Sequence, residues 1–215
     1  MTKPLTDNGY RRAMKALTER DEDLAQVVSE FGAPPRWKRE PGFATLVLLI
    51  LEQQVSLASA EATYDRLEAA CDGVRPRPVL DLSDDALKGA GLSRQKTRYV
   101  RLLAEAVDEG SLELDRLGAL GDEDVRAQLT RITGIGDWTA DIYLLSALQR
   151  ADVWPAKDLA LQVAAFEIKG LDSRPDHQTL GEIGEAWHPY RTVAARILWH
   201  YYLNTKRLKR KDATP

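Results

Sequence analysis

The turn at residues 133–136 has the composition of a site that can hold an anion. It lies in LTRITGIGDWTA (129–140), where Thr133, Gly134, Ile135 and Gly136 join two segments with helical patterning. Two glycines around one aliphatic residue allow a sharp turn and a close approach of the backbone to a ligand. The second helix would direct its unpaired N–H groups and positive dipole end at that turn. Such a turn can bind a phosphate group without a lysine, and it equally suits a plain connection between helices.

A second candidate group is the carboxylate of Asp158, in VWPAKDLALQ (153–162). Pro155 breaks the preceding pattern, so Asp158 is predicted to stand at the start of a helix. An aspartate in that position commonly caps the helix. It can also stabilise positive charge that develops on a substrate. Taken by itself, Asp158 is better explained as a helix N-cap than as a catalytic group.

Charge is unevenly distributed along the 215 residues, whose net charge is −3. Residues 92–101 carry Arg94, Lys96, Arg98 and Arg101 and no acid, a local charge of +4, and residues 191–215 reach +6. Two basic segments on an acidic body could form a directional face for an anionic partner. The same pattern is typical of solvated helix surface followed by a basic tail.

Several classes are excluded by composition. One cysteine, Cys71, rules out a disulfide framework, an all-cysteine zinc site and an iron–sulfur cluster. The first residues, MTKPLTDNGYRR, have no apolar stretch typical of a signal peptide. The longest apolar run, 46–51, is too short to span a membrane. A cytoplasmic protein without membrane contact is expected.

Apolar residues recur at three- and four-residue spacing through most of the chain, which predicts helices. Ser56 is expected to cap a second helix within 43–70, and Ser83 a short one over 82–91. The two prolines in VRPRPV (74–79) are expected to break the pattern. Further helices are predicted over 96–110, 121–132, 137–150, 159–170 and 190–204. No segment shows convincing strand alternation, so the predicted fold class is all-α.

The joint pattern of these segments resembles the helix–hairpin–helix (HhH-GPD) DNA glycosylase superfamily. The hairpin L-x-x-I-x-G-I-G-x-W-T-A followed by P-x-x-D matches the signature of that superfamily. ILEQQVSLASA (50–60), GLSRQKTRYVRLLAEAV (91–107) and WHPYRTVAARILWHYY (187–202) are similar to its 3-methyladenine DNA glycosylase II branch. The resemblance implies two helical subdomains with the active site in the cleft between them. It divides the chain into an N-terminal helical segment (1–40), a glycosylase domain (41–204, hairpin 129–140) and a basic C-terminal tail (205–215).

The function implied is base-excision repair of damaged double-stranded DNA. The enzyme would flip out alkylated bases of the 3-methyladenine and 7-methylguanine type and hydrolyse the N-glycosidic bond, which leaves an abasic site. Asp158 would be the catalytic carboxylate, and Gln54, together with Gln53, the wedge that fills the gap in the DNA. The base pocket would be formed by Trp138, Trp199, Tyr143 and His200. Phosphates would be bound by Thr133, Gly134, Ile135, Gly136, Arg94 and Lys96.

The resemblance also bears on cofactors and reaction type. Members that cleave the backbone have a lysine where this chain has Trp138, so a monofunctional enzyme is expected, with Lys157 leaving lyase activity open. No cofactor is required and no catalytic metal is indicated. The backbone carbonyls of Thr130, Ile132 and Ile135 could hold Na⁺ or K⁺ at the hairpin. A monomer is expected, associated with the nucleoid if the source is bacterial.

Two departures from the family pattern keep alternatives open. Lys157 replaces the glycine that commonly precedes the catalytic aspartate, and about 40 residues before the matched region cannot encode the β-rich domain of longer bacterial relatives. A pocket wall would then be missing, and the range of bases is left open. Removal of oxidised or mismatched bases is one alternative. A helix–hairpin–helix protein that binds DNA without catalysis is another, and such a protein would not need Asp158.

Overall fold

The computed structural model of the protein describes residues 4–212, with side chains described as far as Lys206. All regular structure in residues 4–212 is helical, which confirms the all-α prediction. The helices are α1 (Asp7–Arg20), α2 (Glu22–Phe31), α3 (Phe43–Glu52), α4 (Leu57–Cys71), α5 (Pro76–Asp81), α6 (Asp84–Gly89), α7 (Arg94–Asp108), α8 (Leu114–Leu117), α9 (Asp122–Leu129), α10 (Asp137–Ser146), α11 (Leu159–Ile168), α12 (His177–Glu185) and α13 (Arg191–Asp212).

Side-chain caps begin many of these helices, as expected from sequence. Ser56 accepts a hydrogen bond from the N–H of Ser59 (3.2 Å) and Ser83 one from the N–H of Ala86 (3.2 Å), which confirms both predicted N-caps. The prediction that prolines break the chain over 74–79 is wrong in one respect. Pro76 occupies the first position of α5, where its missing N–H and fixed φ favour a helix start.

Residues 39–148 form one compact unit, which contains α3 to α10. Its core is built around α3, whose apolar side chains are buried on several sides against α4, α7 and α10. A helix with so little polar surface is stable in water because neighbouring helices cover it. The hairpin formed by α9 and α10 belongs to this unit.

Residues 4–38 and 149–212 form the second compact unit, so the two ends of the described chain share one core. The long helix α13 packs against α1, α2 and α11, and its residues from Val193 to Leu198 are fully buried. The predicted basic tail is helical as far as Asp212, and residues 213–215 lie outside the described part. No helix among the described residues is both long and apolar enough to span a bilayer.

Candidate functional site

The hairpin turn between α9 and α10 requires a glycine at position 134. Gly134 has φ +101°, a conformation that side chains with a Cβ rarely adopt. A Cβ added there would lie 2.2 Å from Cγ of Tyr99, so the ring of Tyr99 occupies the space beside the turn. Ile135 anchors the turn with a buried side chain, and its N–H donates to the carbonyl of Ile132 (3.0 Å). The turn therefore has a defined shape.

Gly136 is the N-cap of α10 and provides a close approach to that helix from solvent. It is exposed, and a Cβ added there would meet no atom of the described residues within 4 Å. As a glycine, Gly136 makes no side-chain cap hydrogen bond to α10. Gly136 therefore leaves the positive dipole end of α10 accessible to an anion. Thr133, also exposed, lies on the same turn.

The carbonyls of Thr130, Ile132 and Ile135 are a donor set suited to a monovalent cation. All three are neutral oxygens, which fit Na⁺ or K⁺ better than they fit a transition metal. The Ile132 carbonyl already accepts the N–H of Ile135, and a carbonyl has a second lone pair for a cation. The residues present therefore fit such an ion.

The connection between α3 and α4 projects Gln54 into solvent. Gln54 has φ +58°, a left-handed conformation that is uncommon for a residue with a side chain, and it is exposed. The apolar side chains of Val55 (46% exposed) and Leu57 (58%) lie next to it in the chain. We call residues 53–57 the wedge corner. Its exposed apolar and amide groups are of the type that enters a gap in stacked bases.

Gln53 has a different environment from Gln54, which corrects the prediction that both form the wedge. Its Nε2 donates to the carbonyl of Gly134 (2.8 Å) and to Oγ1 of Thr139 (3.1 Å). A side chain held in this way is directed at the hairpin. The wedge role of Gln54, which is exposed, stays a prediction.

Half of the basic segment 92–101 is engaged inside its own unit. Lys96 donates from Nζ to the carbonyl of Leu51 (2.6 Å), and partial burial lowers the pKa of Lys96 below its ordinary value. Arg101 donates to Oδ1 of Asp84 (2.9 Å) and to the carbonyl of Leu82 (2.6 Å). Arg94 and Arg98 are exposed. Exposed arginines remain the better candidates for phosphate contacts.

Asp158, in the second unit, is both a helix cap and the partner of an aromatic side chain. Its Oδ1 accepts the N–H of Leu161 (3.0 Å), so Asp158 is the N-cap of α11, as the sequence predicts. The same oxygen accepts the indole N–H of Trp199 (3.0 Å). Two donors on one oxygen fix the plane of a half-buried carboxylate. Lys157, in place of the family glycine, is exposed.

His200, next to Trp199 on α13, belongs to an aromatic cluster of the second unit. Its Nε2 lies 3.0 Å from the carbonyl of Phe31, which can only accept, so Nε2 carries a proton in this contact. The imidazole is 6.3 Å from the ring of Trp37, measured between centroids. Trp37 has φ +41° and is 36% exposed. Sequence analysis missed Trp37, because PPRWKRE shows no helical periodicity and the family motifs begin after it.

Tyr143 is a core residue, which corrects its assignment to the base pocket. It is 0% exposed, and its hydroxyl accepts the N–H of Gly42 (2.9 Å). Burial raises the pKa of this hydroxyl. A fully enclosed ring cannot contact a ligand that enters from solvent. Trp138, on α10 of the first unit, is half-buried and retains surface that a ligand can reach.

Comparisons with known proteins identify the family of this chain and several similar proteins. Residues 47–189 match the model of the HhH-GPD superfamily of base excision DNA repair proteins. The alkylbase DNA glycosidase-like protein mag2 of Schizosaccharomyces pombe is 26% identical over 201 residues, covering 90% of this chain and 94% of that protein. The 3-methyladenine DNA glycosylase Mag1 of the same yeast, solved in complex with abasic DNA, superposes with a TM-score of 0.81 at 27% identity and covers 87% of this chain and 95% of its own. A DNA-3-methyladenine glycosidase from Bacillus halodurans has a TM-score of 0.73 and 33% identity, with 94% and 93% covered.

Proposed function

The chain belongs to the HhH-GPD superfamily of base excision DNA repair proteins, and we propose that it removes alkylated bases, of the 3-methyladenine and 7-methylguanine type, from double-stranded DNA. It would hydrolyse the N-glycosidic bond and leave an abasic site. Relatives that it matches over nine-tenths of their length are named as alkylbase or 3-methyladenine glycosylases. The single observation that carries the proposal is the carboxylate of Asp158, fixed at the start of α11 against the indole of Trp199.

The reaction builds positive charge on the deoxyribose as the bond to the base lengthens. A carboxylate held in place beside the sugar stabilises that charge without reorganising. It can also orient the attacking water, as in the hydrolysis of glycosides. Because an alkylated purine already carries positive charge, it is a good leaving group and needs little help from a general acid. Asp158 therefore suffices as the chemical group of this site.

Aromatic side chains would select the flipped base. A cationic, electron-poor ring is attracted to the electron-rich face of an indole. Trp199 is held by its bond to Asp158, so its ring has a fixed orientation next to the carboxylate. Trp138 and His200 are the further candidates for contacts with the base. Trp37, exposed beside His200, is a further aromatic side chain of the second unit that could contact the base.

DNA would be contacted by the hairpin and by the wedge corner, which both belong to the first unit. The open N-terminus of α10 at Gly136 would accept a phosphate, and Arg94 a second one. A Na⁺ or K⁺ ion held by the carbonyls of Thr130, Ile132 and Ile135 would supply a further positive charge for binding a phosphate. Gln54 would fill the space left by the flipped base and hydrogen-bond the orphaned partner base. Few positive charges are used, so we expect modest binding to undamaged DNA that weakens further with salt.

The experiment that tests the proposal measures free base and strand breaks separately. Duplex DNA treated with a methylating agent is incubated with the protein, and released 3-methyladenine and 7-methylguanine are quantified by chromatography. We expect base release without strand cleavage, since cleavage of the backbone needs an amine nucleophile and Trp138 stands where lyases carry it. No base release would refute the enzyme and leave a DNA-binding protein. Strand breaks lost in Lys157→Ala would instead assign a lyase step to Lys157.

The wedge role has its own test. Gln54→Ala is expected to weaken binding to a duplex with an abasic site more than binding to the undamaged duplex, because the undamaged stack offers no gap. Loss of the same size on both duplexes would refute the wedge.

A further inference from the structure

The backbone that carries Gln54 is held by two side-chain contacts with other elements, one made by Lys96 of α7 and one made by the neighbouring Gln53. On one side, Lys96 of α7 donates from Nζ to the carbonyl of Leu51, in the last turn of α3 (2.6 Å). On the other, the side chain of Gln53 reaches the hairpin at Gly134 and Thr139. The wedge corner is thus fastened immediately before the residue that projects from it.

The Lys96 contact is that of a helix cap. The last carbonyls of a helix have no partner inside it, and a lysine near the end can satisfy one of them. The Leu51 carbonyl is of this kind, and it lies 45 positions from Lys96 in sequence. Lys96 is less exposed than Arg94 and Arg98 on the same helix. Because the ammonium group of Lys96 already donates to a carbonyl of its own unit, it is poorly placed to bind a DNA phosphate.

The Gln53 contact uses the full donor capacity of its amide. The Nε2 group has two hydrogens, and it donates to the Gly134 carbonyl and to Oγ1 of Thr139. Tyr99, on α7, packs against Gly134 on the same turn. Helix α7 therefore contacts both the end of α3, through Lys96, and the hairpin, through Tyr99. The hairpin, the wedge corner and α7 form one connected set of contacts.

We propose that Lys96 and Gln53 are positioning residues that lock the wedge to the phosphate-binding hairpin. Neither contacts DNA. They fix the position of Gln54 relative to the turn. When the hairpin binds a phosphate, Gln54 is therefore inserted to a defined depth between the bases. The inference rests on the proposed function, because Gln54 has a gap to fill only where a base is flipped out. It replaces the expectation that Lys96 binds a phosphate.

Salt dependence distinguishes positioning from phosphate contact at Lys96. Dissociation constants for a duplex with an abasic-site analogue and for the undamaged duplex are measured from about 50 to 200 mM salt, a range over which phosphate contacts are resolved. The slope of log affinity against log salt is negative, and Arg94→Met, the matched control on the same helix, should make it shallower by about 0.9 on both duplexes. Lys96→Met should leave the slope unchanged and weaken binding to the abasic duplex roughly tenfold more than to the undamaged one. If Lys96→Met made the slope shallower by as much as Arg94→Met does, the proposal would be overturned.

A double-mutant cycle tests Gln53. Gln53→Met keeps the length of the side chain and removes the donor. If Gln53 acts through Gln54, then Gln54→Ala should cost much less affinity for the abasic duplex in the Gln53→Met background than in the wild type. If the losses of affinity caused by Gln53→Met and Gln54→Ala were additive, the positioning role would be overturned. This outcome is also the one expected if Gln53→Met only lowers the melting temperature. A wild-type protein that binds both duplexes equally would refute the proposed function itself, whereas a wild-type preference with additive losses refutes the locking alone.

Discussion

Replacing Asp158 by asparagine should separate its chemical role from its structural one. Oδ1 of Asp158 accepts the N–H of Leu161 and the indole N–H of Trp199, both at 3.0 Å. An asparagine oxygen can accept both bonds, and asparagine caps helices about as well as aspartate, so we expect the free energy of unfolding to change by less than about 1 kcal/mol. The negative charge is lost, and base release should slow by about 10²–10³-fold.

Alanine at the same position should affect both properties. It removes the cap of α11, which costs about 1 kcal/mol. It also leaves the half-buried indole of Trp199 without its acceptor, for a further loss of about 1–2 kcal/mol. The melting temperature of Asp158→Ala should therefore fall by about 5–10 °C, while that of Asp158→Asn stays near the wild-type value.

The two variants are compared by single-turnover release of 3-methyladenine and by thermal unfolding followed by circular dichroism. If Asp158→Asn retained a tenth or more of the wild-type rate, the carboxylate would not be the group that stabilises the sugar cation. If Asp158→Asn unfolded as early as Asp158→Ala, the hydrogen bonds to Oδ1 would not account for the structural contribution. Either outcome would refute the corresponding part of the reasoning.

Three further predictions concern stability and DNA binding. Gly134→Ala should destabilise the protein by about 2–4 kcal/mol, because the new Cβ meets the ring of Tyr99 and the backbone has a positive φ. Gly136→Ala should leave the melting temperature nearly unchanged and weaken DNA binding, because its Cβ occupies the approach to α10. If Gly136→Ala bound DNA as tightly as the wild type, a phosphate would not bind there. Tyr143→Phe should lower the free energy of unfolding by about 1–2 kcal/mol through the lost bond to the backbone without altering which bases are released, and an altered range of bases would return Tyr143 to the pocket. Burial alone would raise the pKa of Asp21, but hydrogen bonds from Lys169 and Trp187 outweigh it and hold this pKa below the ordinary value of 3.8. The carboxylate therefore contributes its full stabilisation above pH 3.8 and loses it as the pH falls below that value. Urea titrations between about pH 5 and pH 3 should show a smaller loss of stability in Asp21→Asn than in the wild type, and parallel curves would contradict this.

The local geometry of the site follows from the order of residue types along the chain. Ser56, Ser83 and Asp158 were predicted as helix caps from a polar residue placed before an amphipathic stretch, and each forms the expected hydrogen bond. The two glycines of the hairpin were recognised because a tight turn between helices has few other solutions. Caps and turns involve residues three or four positions apart, so the spacing of residue types is sufficient to identify them.

Which side chains of the matched motifs remain available for a ligand depends on the packing of distant segments. Gln53 and Gln54 are adjacent and chemically identical, but the partner of Gln53 lies 81 positions away in the hairpin, while the left-handed backbone of Gln54 turns it into solvent. Lys96 and Tyr143 look like surface and pocket residues in the sequence, and both are engaged by distant backbone groups. Trp37 lies outside every motif, and packing brings it beside His200. Burial and hydrogen bonding between distant segments depend on how whole helices pack, and that information is absent from the pattern of any single segment.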